Sequence, residues 1–418
     1  MSNIKASIIT IGDELLIGQT IDTNSAWIAQ KLNSIGLELV RKVSVADLKT
    51  SIREALDFEL TKADIVLLTG GLGPTADDIT KPFLSEYFGA KLVVDDGVLK
   101  HVKHLFEIRN RPFLERNIKQ AEVPDNCTVL HNSMGTAPGM WFEKDGKVII
   151  SMPGVPFEMM SIMEEEVIPR FIERYQSDAL EHKTIITAGE GESFIAEKIV
   201  DIEESLPGYI KLAYLPSAGM VKLRLTGRSN NKETLIQELG TYQEKLVARL
   251  DDITLATEDL SLEEIVGKSL LERGETTAFA ESCTGGYIAH LITKIPGSSR
   301  YFQGGVIPYQ IDLKSSVLGV SNDTLDKYGA ISEETAIEMA INGKKSCQSN
   351  YCLSVTGLLS KSVDAVDELP IGTVWMAVAG ERGVVTKRFK FHYDRERNKE
   401  IAANMGLLML WKYINGKI

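Results

Sequence analysis

The sequence has little of what would indicate a disulfide-rich, metal-thiolate or membrane protein. Its 418 residues include only four cysteines, at positions 127, 283, 347 and 352, and their spacing matches neither a zinc site nor a disulfide framework. No apolar run approaches the about 18 residues of a membrane span. Residues 1–20 carry no basic segment followed by an apolar core. We therefore expect a reduced, cytoplasmic protein that does not enter a membrane.

The chain also lacks an excess of positive charge. It has 46 Lys and Arg against 58 Asp and Glu, which gives a formal net charge of −12. Basic surfaces dominate nonspecific binding to nucleic acids and anionic membranes, so we expect neither as a partner. A small phosphorylated ligand needs only a few local donors and is not excluded. Hydrophobic residues make up 44% of the chain, enough for sizeable cores in several domains.

The pattern of apolar residues changes along the chain, which predicts three domains. Near the start, apolar strands alternate with helical patterns in a β-α-β-α-β order that is typical of a parallel sheet covered by helices. A smaller α+β segment follows. The polar stretch 251–261 is interpreted as a linker, and a second α/β segment begins near residue 262. The predicted domains cover residues 1–176, 177–252 and 258–418.

Glycines and acidic residues cluster after the third predicted strand. Gly70, Gly71 and Gly73 would let backbone N–H groups approach a phosphate at the place where α/β folds bind ligands. Carboxylates beside such a cradle are useful if a divalent cation bridges them to the phosphate. The same residues also suit a tight turn and a helix cap, and the pattern alone does not distinguish this structural role from a ligand site. The further candidates are Thr75 for the ligand and Asp13, Asp77, Asp78 and Glu158 for the metal.

A second group of residues suits nucleophilic catalysis without histidine. Ser282 is predicted at a strand-to-loop transition, and Lys314 lies among apolar residues whose packing would lower the pKa of its amine. A neutral lysine can take the proton of a serine, and Tyr309 would orient that lysine or relay the proton. Thr356, at another strand end, would donate to the substrate carbonyl or to the oxyanion. This set predicts hydrolysis of an amide or ester bond.

Two other interpretations compete with a serine nucleophile. Cys283, activated at a helix N-terminus, would need no lysine, although no histidine is obviously placed to serve it. Alternatively, the serine and the glycines that follow only cap the helix predicted over 286–294. If Ser282 is the nucleophile, backbone N–H groups near Gly285 and Gly286 would hold the oxyanion.

Five motifs in the first domain resemble the N-terminal half of the CinA (competence/damage-inducible) family. They are GDELL at 12–16, TGGLGPTADDIT at 69–80, NIKQA at 117–121, GTAPG at 135–139 and PGVPFEM at 153–159. The resemblance implies a three-layer fold similar to molybdopterin-binding domains. It also implies hydrolysis of ADP-ribose to AMP and ribose 5-phosphate with a divalent metal ion (Mg, Mn or Co). The glycine loop and Asp78 would then meet the pyrophosphate and its metal.

The last domain resembles the CinA C-terminal domain, an α/β domain similar to nicotinamide mononucleotide (NMN) deamidase. The motifs are AESCTGG at 280–286, GSS at 297–299, FQGGV at 302–306, GAIS at 329–332, TG at 356–357 and GTV at 372–374. The resemblance implies a Ser/Lys amidohydrolase that needs no cofactor and forms a homodimer. Ser282, Tyr309, Lys314 and Thr356 fall on the family's catalytic positions. Substrate contacts are expected at Gly285, Gly286, Gly297, Ser298, Ser299, Gly357 and Arg395.

The segment after Gly357 departs from the family pattern. The family usually continues Ile-Ala-Gly-Pro-x-Gly-Gly, whereas this chain has LLSKSVDAVDE at 358–368. The loss of glycines removes backbone conformations that approach a substrate closely. Three outcomes for the deamidase activity therefore stay open: it is intact, it acts on a different substrate, or it is lost. The alternatives are an N-terminal pyrophosphatase with a degenerate C-terminal domain, a pterin-binding module and a competence-related partner protein.

Overall fold

The computed structural model describes residues 4–73, 78–175, 179–217, 219–361 and 369–418. The chain divides into two compact units, one from the ranges 1–181 and 227–237 and the other from 182–226 and 238–418. In the described part of the chain, no helix combines the length and apolarity that a bilayer span requires.

The first domain is built on a six-stranded mixed sheet. Its described elements are β1 (Lys5–Ile11), α1 (Asp13–Leu16), α2 (Thr23–Ser34), β2 (Glu38–Val45), α3 (Lys49–Leu60), β3 (Ile65–Thr69), α4 (Thr80–Tyr87), β4 (Leu92–Val94), α5 (Asp96–Ile108), β5 (Glu122–Pro124), β6 (Thr128–Leu130), β7 (Gly139–Lys144), β8 (Lys147–Met152), α6 (Pro156–Ile162) and α7 (Ile168–Arg174). The sheet order is β2-β1-β3-β8-β7-β6, and β4 pairs with β5 separately. The first four strands of this order run parallel, and β7 and β6 are antiparallel to their neighbours.

Each face of this sheet has its own core, because successive residues of a strand point to opposite faces. Ala6 and Ile8 of β1 pack in a cluster that includes residues of α2 and α6. Ile9 and Ile11 of the same strand pack in a second cluster with residues of α3 and α4. The predicted three-layer arrangement is therefore confirmed, and the carboxyl ends of β1, β3 and β8 share one edge.

The middle domain is a small α+β unit, as predicted. Its elements are β9 (Ala179–Ala188), α8 (Glu192–Glu204), β10 (Ile210–Ser217), β11 (Met220–Ser229), α9 (Lys232–Arg249) and β12 (Thr254–Ala256). The strands form one sheet in the order β10-β11-β9-β12. β12 lies inside the stretch interpreted as a linker. Its three residues are flanked by polar ones, but they pair antiparallel with β9 and extend the sheet.

The C-terminal domain contains a five-stranded mixed sheet with helices on both faces. Its described elements are α10 (Leu262–Arg273), β13 (Thr277–Glu281), α11 (Tyr287–Thr293), β14 (Phe302–Val306), α12 (Ile311–Ser316), α13 (Asn322–Tyr328), α14 (Glu333–Ser346), β15 (Tyr351–Gly357), β16 (Thr373–Gly380), β17 (Gly383–Lys390) and α15 (Arg395–Ile414). The order is β14-β13-β15-β16-β17. Residues of α10, α11 and α15 form the core of one face, and residues of α14 pack on the other.

The three parallel strands of this sheet place the predicted catalytic residues at one edge. β13 lies between β14 and β15 and runs parallel to both. The serine loop follows β13, the segment that leads to Lys314 follows β14, and Thr356 lies at the end of β15. Because the carboxyl ends of parallel strands meet at the same edge, these three segments converge there.

Candidate active site

A pocket of about 320 Å³ opens at the carboxyl ends of β13, β14 and β15. It gathers residues that are far apart in the sequence. Predicted site residues that line it are Ser282, Tyr309, Lys314, Thr356, Gly357 and Arg395. Its other walls include residues 358–361, the start of the segment that departs from the family pattern.

Ser282 and Lys314 form a direct hydrogen bond in this pocket. The Nζ of Lys314 lies 2.8 Å from the Oγ of Ser282, and it also donates to the carbonyl oxygen of Pro308 at 2.8 Å. The lysine side chain is buried, with 2% of its surface exposed. Burial disfavours the charged form and lowers the pKa of Lys314 to about 8. A base with that pKa suits catalysis near neutral pH.

A buried carboxylate fixes the turn that carries Ser282. Glu281 is the last residue of β13 and is 1% exposed. Its side chain accepts hydrogen bonds from the backbone N–H groups of Gly286 (3.1 Å), Ile288 (3.0 Å) and Ala289 (2.9 Å). These donors belong to the first turn of α11 and would otherwise lack partners. Glu281 therefore fixes the loop to the start of the helix. Sequence analysis missed this role because the acid lies at the end of β13 and not in the first turn of α11, where acids that favour a helix N-terminus are usually found.

The N–H groups of Gly285 and Gly286 themselves have partners within the loop, so the oxyanion donors expected near these glycines must be their neighbours. The N–H of Gly285 donates to the carbonyl of Ser282 at 3.1 Å, and that of Gly286 is taken by Glu281. Both glycines have positive φ, 61° and 91°, so their role is to shape the turn. The N–H groups of Cys283 and Thr284 have no acceptor in the part of the chain that the structure describes. They follow the nucleophile and are the available donors.

Thr356 and Tyr309 also have different partners from those predicted. The single hydroxyl proton of Thr356 is donated to the carbonyl of Ala330 at 2.7 Å, so this side chain is a strut between β15 and the preceding loop. The hydroxyl of Tyr309 accepts from the Nη2 of Arg395 at 2.7 Å. The second contact of Lys314 is instead Pro308, a backbone carbonyl that sequence analysis did not single out.

Cys283 is poorly suited to be the nucleophile. Its side chain is buried, and burial raises the pKa of the thiol to about 12. At neutral pH the thiolate, which is the reactive form of cysteine, is then almost absent. The geometry therefore favours Ser282 over its neighbour.

The predicted substrate residues Gly297, Ser298 and Ser299 lie away from this pocket. They fall in the short 3-10 turn that leads into the amino end of β14. The pocket is at the carboxyl end of that strand, so the structure does not bring these three residues together with Ser282 and Lys314. A Gly-Ser-Ser loop has the composition of a phosphate loop on either edge of a sheet, so composition alone does not place it. Arg395, in contrast, is in the pocket wall.

The first domain has a cleft of about 110 Å³ at the carboxyl edge of its own sheet. Asn24 spans this cleft: its Nδ2 donates to the carbonyl of Gly154 at 2.8 Å and to the hydroxyl of Thr69 at 3.2 Å. The Oδ1 of Asn24 is buried and has no hydrogen-bond partner among the described residues. Buried acceptors are rarely left unpaired, so this atom indicates a place for a ligand donor.

The glycine loop beside this cleft is packed too closely for side chains. A Cβ on Gly70, whose φ is 117°, would lie 2.2 Å from the carbonyl oxygen of Ile11. A Cβ on Gly71, whose φ is 65°, would lie 2.2 Å from the hydroxyl of Thr80. The N–H of Gly73 donates to the carboxylate of Asp78 at 2.7 Å. The other predicted members of the loop, Thr75 and Asp77, lie outside the described residues.

The described carboxylates among the predicted metal ligands lie apart, each with its own hydrogen-bond donor. Among residues that the structure describes, no three His, Cys, Asp or Glu side chains form a group that could hold a metal ion. The three predicted ligands within that part have separate partners. Asp13 accepts from the N–H of Asp47, Asp78 accepts from Gly73, and Glu158 accepts from the Nδ2 of Asn132. The fourth predicted ligand, Asp77, lies outside the described residues, and the metal site stays a prediction.

Comparison with known proteins identifies all three domains. Residues 7–173 match the model described as "Probable molybdopterin binding domain", residues 182–253 match the "Damage-inducible protein CinA KH domain", and residues 259–414 match the "CinA C-terminal domain". A CinA-like protein of Flavobacterium psychrophilum is 44% identical over 98% of this chain and 99% of its own length. One from Cytophaga hutchinsonii is 44% identical over 96% of each chain. A crystal structure of the protein CinA from Thermoplasma acidophilum is 33% identical, with a TM-score of 0.37, over 41% of this chain and 98% of that one. The full-length matches show that this chain belongs to the CinA family.

Proposed function

We propose that the C-terminal domain is a Ser/Lys amidohydrolase that converts NMN to nicotinate mononucleotide and ammonia. The observation that carries this proposal is the 2.8 Å contact between the buried Nζ of Lys314 and the Oγ of Ser282. With a pKa of about 8, about a tenth of the lysine side chains are neutral at pH 7. The family resemblance supplies the substrate, and the geometry supports the chemistry.

In the acylation step, neutral Lys314 takes the hydroxyl proton of Ser282 as the Oγ attacks the carboxamide carbon. The carbonyl oxygen becomes an oxyanion, and the N–H groups of Cys283 and Thr284 stabilise it. The C–N bond then breaks, and the Lys314 ammonium returns its proton to the leaving nitrogen, which departs as ammonia. The carbonyl of Pro308 keeps the amine oriented toward Ser282 throughout.

Hydrolysis of the acyl-enzyme repeats these proton transfers with water as the nucleophile. Lys314 takes a proton from water, the hydroxide oxygen attacks the ester carbon, and the proton is returned to the Oγ of Ser282. The products are the free serine and a carboxylic acid, which becomes the carboxylate by releasing its proton to solvent. Besides the reacting Lys314, the pocket wall carries Lys361 and Arg395, whose positive charge favours an anionic substrate and its carboxylate product.

Ammonia release from NMN tests this proposal directly. We expect the wild-type chain to release ammonia and nicotinate mononucleotide in equal amounts, and Ser282→Ala to release neither. Cys283→Ser provides a control in the same loop that keeps the serine and its base. Absence of release by the wild-type chain would reject the deamidase and favour a C-terminal domain without catalysis.

For the N-terminal domain we propose hydrolysis of ADP-ribose, in which water displaces one side of the pyrophosphate and yields AMP and ribose 5-phosphate. The close-packed backbone of Gly70 and Gly71 and the unpaired Oδ1 of Asn24 support nucleotide binding at this edge. Because the described residues do not supply three metal donors, we derive no step through a metal ion. The family resemblance nevertheless makes a divalent ion an expectation.

AMP formation from ADP-ribose with Mg²⁺, Mn²⁺ or Co²⁺ tests this second activity. The Ser282→Ala chain should retain it, because the two sites lie in different domains. A chain that binds molybdopterin but does not turn over ADP-ribose with any of these ions would instead indicate a pterin-binding module.

A further inference from the structure

Exposed cations line the mouth of the C-terminal pocket, and no described carboxylate pairs with them. Lys361 and Arg395 are among the residues that line the pocket, and the described lining includes no aspartate or glutamate. Lys361 and Arg395 are exposed. Among the described residues neither side chain has an acidic partner.

The other cations at the start of α15 form ion pairs with carboxylates. Arg397 pairs with Glu400 at 2.9 Å, and Lys399 pairs with Glu396 at 2.9 Å. Asp394 directly precedes Arg395, but its side chain accepts from the N–H of Arg397 and caps the helix. Carboxylates are therefore present on this turn, and Arg395 is held away from them.

Two neutral hydroxyls hold the guanidinium of Arg395 instead. Its Nη2 donates to the hydroxyl of Tyr309 at 2.7 Å, and its Nη1 donates to the Oγ of Ser360 at 2.9 Å. Neutral acceptors fix the plane of the guanidinium without compensating its charge, so the group remains able to bind an anion. Ser360 and Lys361 belong to the segment in which this chain departs from the family pattern.

We infer that Arg395 and Lys361 form an anion clamp that binds the phosphate group of an amide-bearing phosphate monoester, and that Ser360 is a positioning residue for Arg395. This inference rests on the proposed deamidase and deepens it. The reacting pair is buried, whereas Tyr309, half exposed at 51%, marks the mouth. The carboxamide therefore enters toward Ser282 while the phosphate stays at the mouth. In this chain, the side chains of Arg395 and Lys361 would bind the phosphate, which backbone N–H groups of a glycine loop could otherwise bind.

Binding to the full-length Ser282→Ala chain, measured by titration calorimetry, separates the clamp from turnover. The probes are NMN and nicotinamide riboside, which differ only by the phosphate. Added to this background, Lys361→Ala should weaken NMN binding about fivefold and Arg395→Lys about tenfold, the cost of a charge-assisted contact. Riboside binding should not change. Arg397→Ala, which removes a paired cation of the same helix turn, is the control and should leave NMN binding unchanged.

Rescue tests the positioning role of Ser360. Ser360→Ala should weaken NMN binding about threefold, and Ser360→Thr, which keeps the hydroxyl, should restore it. In the chain with Ser282 intact, Lys361→Ala should raise KM for NMN and leave kcat within about twofold.

Unchanged NMN affinity in both Lys361→Ala and Arg395→Lys would overturn the clamp, even if the wild-type chain releases ammonia. Conversely, weaker NMN binding in both variants supports the clamp even if the wild-type chain releases no ammonia, and only the deamidase proposal then fails. Binding of either probe to the N-terminal domain is common to all these variants and cancels in the comparison.

Discussion

Deamidation is expected to depend on pH through the neutral form of Lys314. With the pKa lowered to about 8, the active fraction is about a tenth at pH 7 and about nine tenths at pH 9. The kcat/KM for NMN should therefore rise about tenfold between these values and then level off. A lysine at the ordinary value of 10.5 would give about a hundredfold rise over the same interval, with no plateau. The two cases are easily distinguished.

The same pKa shift affects stability. In the unfolded chain the amine keeps its proton up to the ordinary value of 10.5, whereas in the folded chain it loses it near 8. Between these values the unfolded state binds more protons, so the contribution of Lys314 to the free energy of unfolding increases as pH rises through this window. Below about 8 both states are protonated, and burial of the charge is a constant cost.

Initial rates of ammonia release at low NMN concentration, measured from pH 6 to pH 10, test this reasoning. Lys314→Arg keeps the charge but cannot serve as a base, so its activity should be lost at every pH. Lys345→Met, at an exposed position of α14, is the matched control and should keep the wild-type profile. The labelling rate of Ser282 by a fluorophosphonate should follow the same curve without any substrate. A flat profile, or activity in Lys314→Arg, would refute Lys314 as the base.

Three further outcomes follow from the contacts around the two sites. Glu281→Ala leaves three backbone donors unpaired and should lower the free energy of unfolding by about 3 kcal/mol in urea titrations; an unchanged midpoint would contradict the cap. Cys283→Ser should keep kcat/KM for NMN within about threefold, since a buried thiol is not the nucleophile, and a hundredfold loss would reverse that assignment. Gly71→Ala should destabilise the chain by about 2 kcal/mol more than Gly89→Ala. Both glycines have positive φ, but only the first would press a Cβ against Thr80, and equal melting temperatures would exclude the clash.

The central strands of the main sheets could be predicted because they are buried on both faces. β1 and β3 read as short continuous apolar runs bounded by turn residues, which is typical of parallel strands. β4 has all three residues exposed, and its pairing with β5 depends on distant contacts that leave no local pattern. β14 was missed for another reason. Its Phe-Gln-Gly-Gly-Val sequence has low strand propensity, but Gly305 fits where a Cβ would lie 2.9 Å from the carbonyl of Phe279.

The candidate catalytic residues of the C-terminal site could be predicted from the sequence, but most of the hydrogen bonds around them could not. Serine and lysine are recognisable because few residue types can act as a nucleophile and a base without histidine. Pro308 and Ala330 contribute only backbone carbonyls to the site, so their identity carries no signal. The bond between Arg395 and Tyr309 joins residues 86 positions apart and depends on where α15 starts relative to the end of β14. Such contacts follow from tertiary packing alone.

Glu281 links the architecture of the loop to the choice between serine and cysteine. A helix N-terminus carries partial positive charge that would lower the pKa of a thiol placed beside it. Here the Glu281 carboxylate occupies the N-terminus of α11, and its charge adds to burial in raising the pKa of Cys283. The partial positive charge of the α11 N-terminus is therefore not available to activate the thiol, and Lys314 remains as the activating group. A Glu281→Gln variant that keeps part of the cap without the charge should lower the pKa of Cys283 and increase its alkylation by iodoacetamide, whereas an unchanged alkylation rate would separate the cap from the choice of nucleophile.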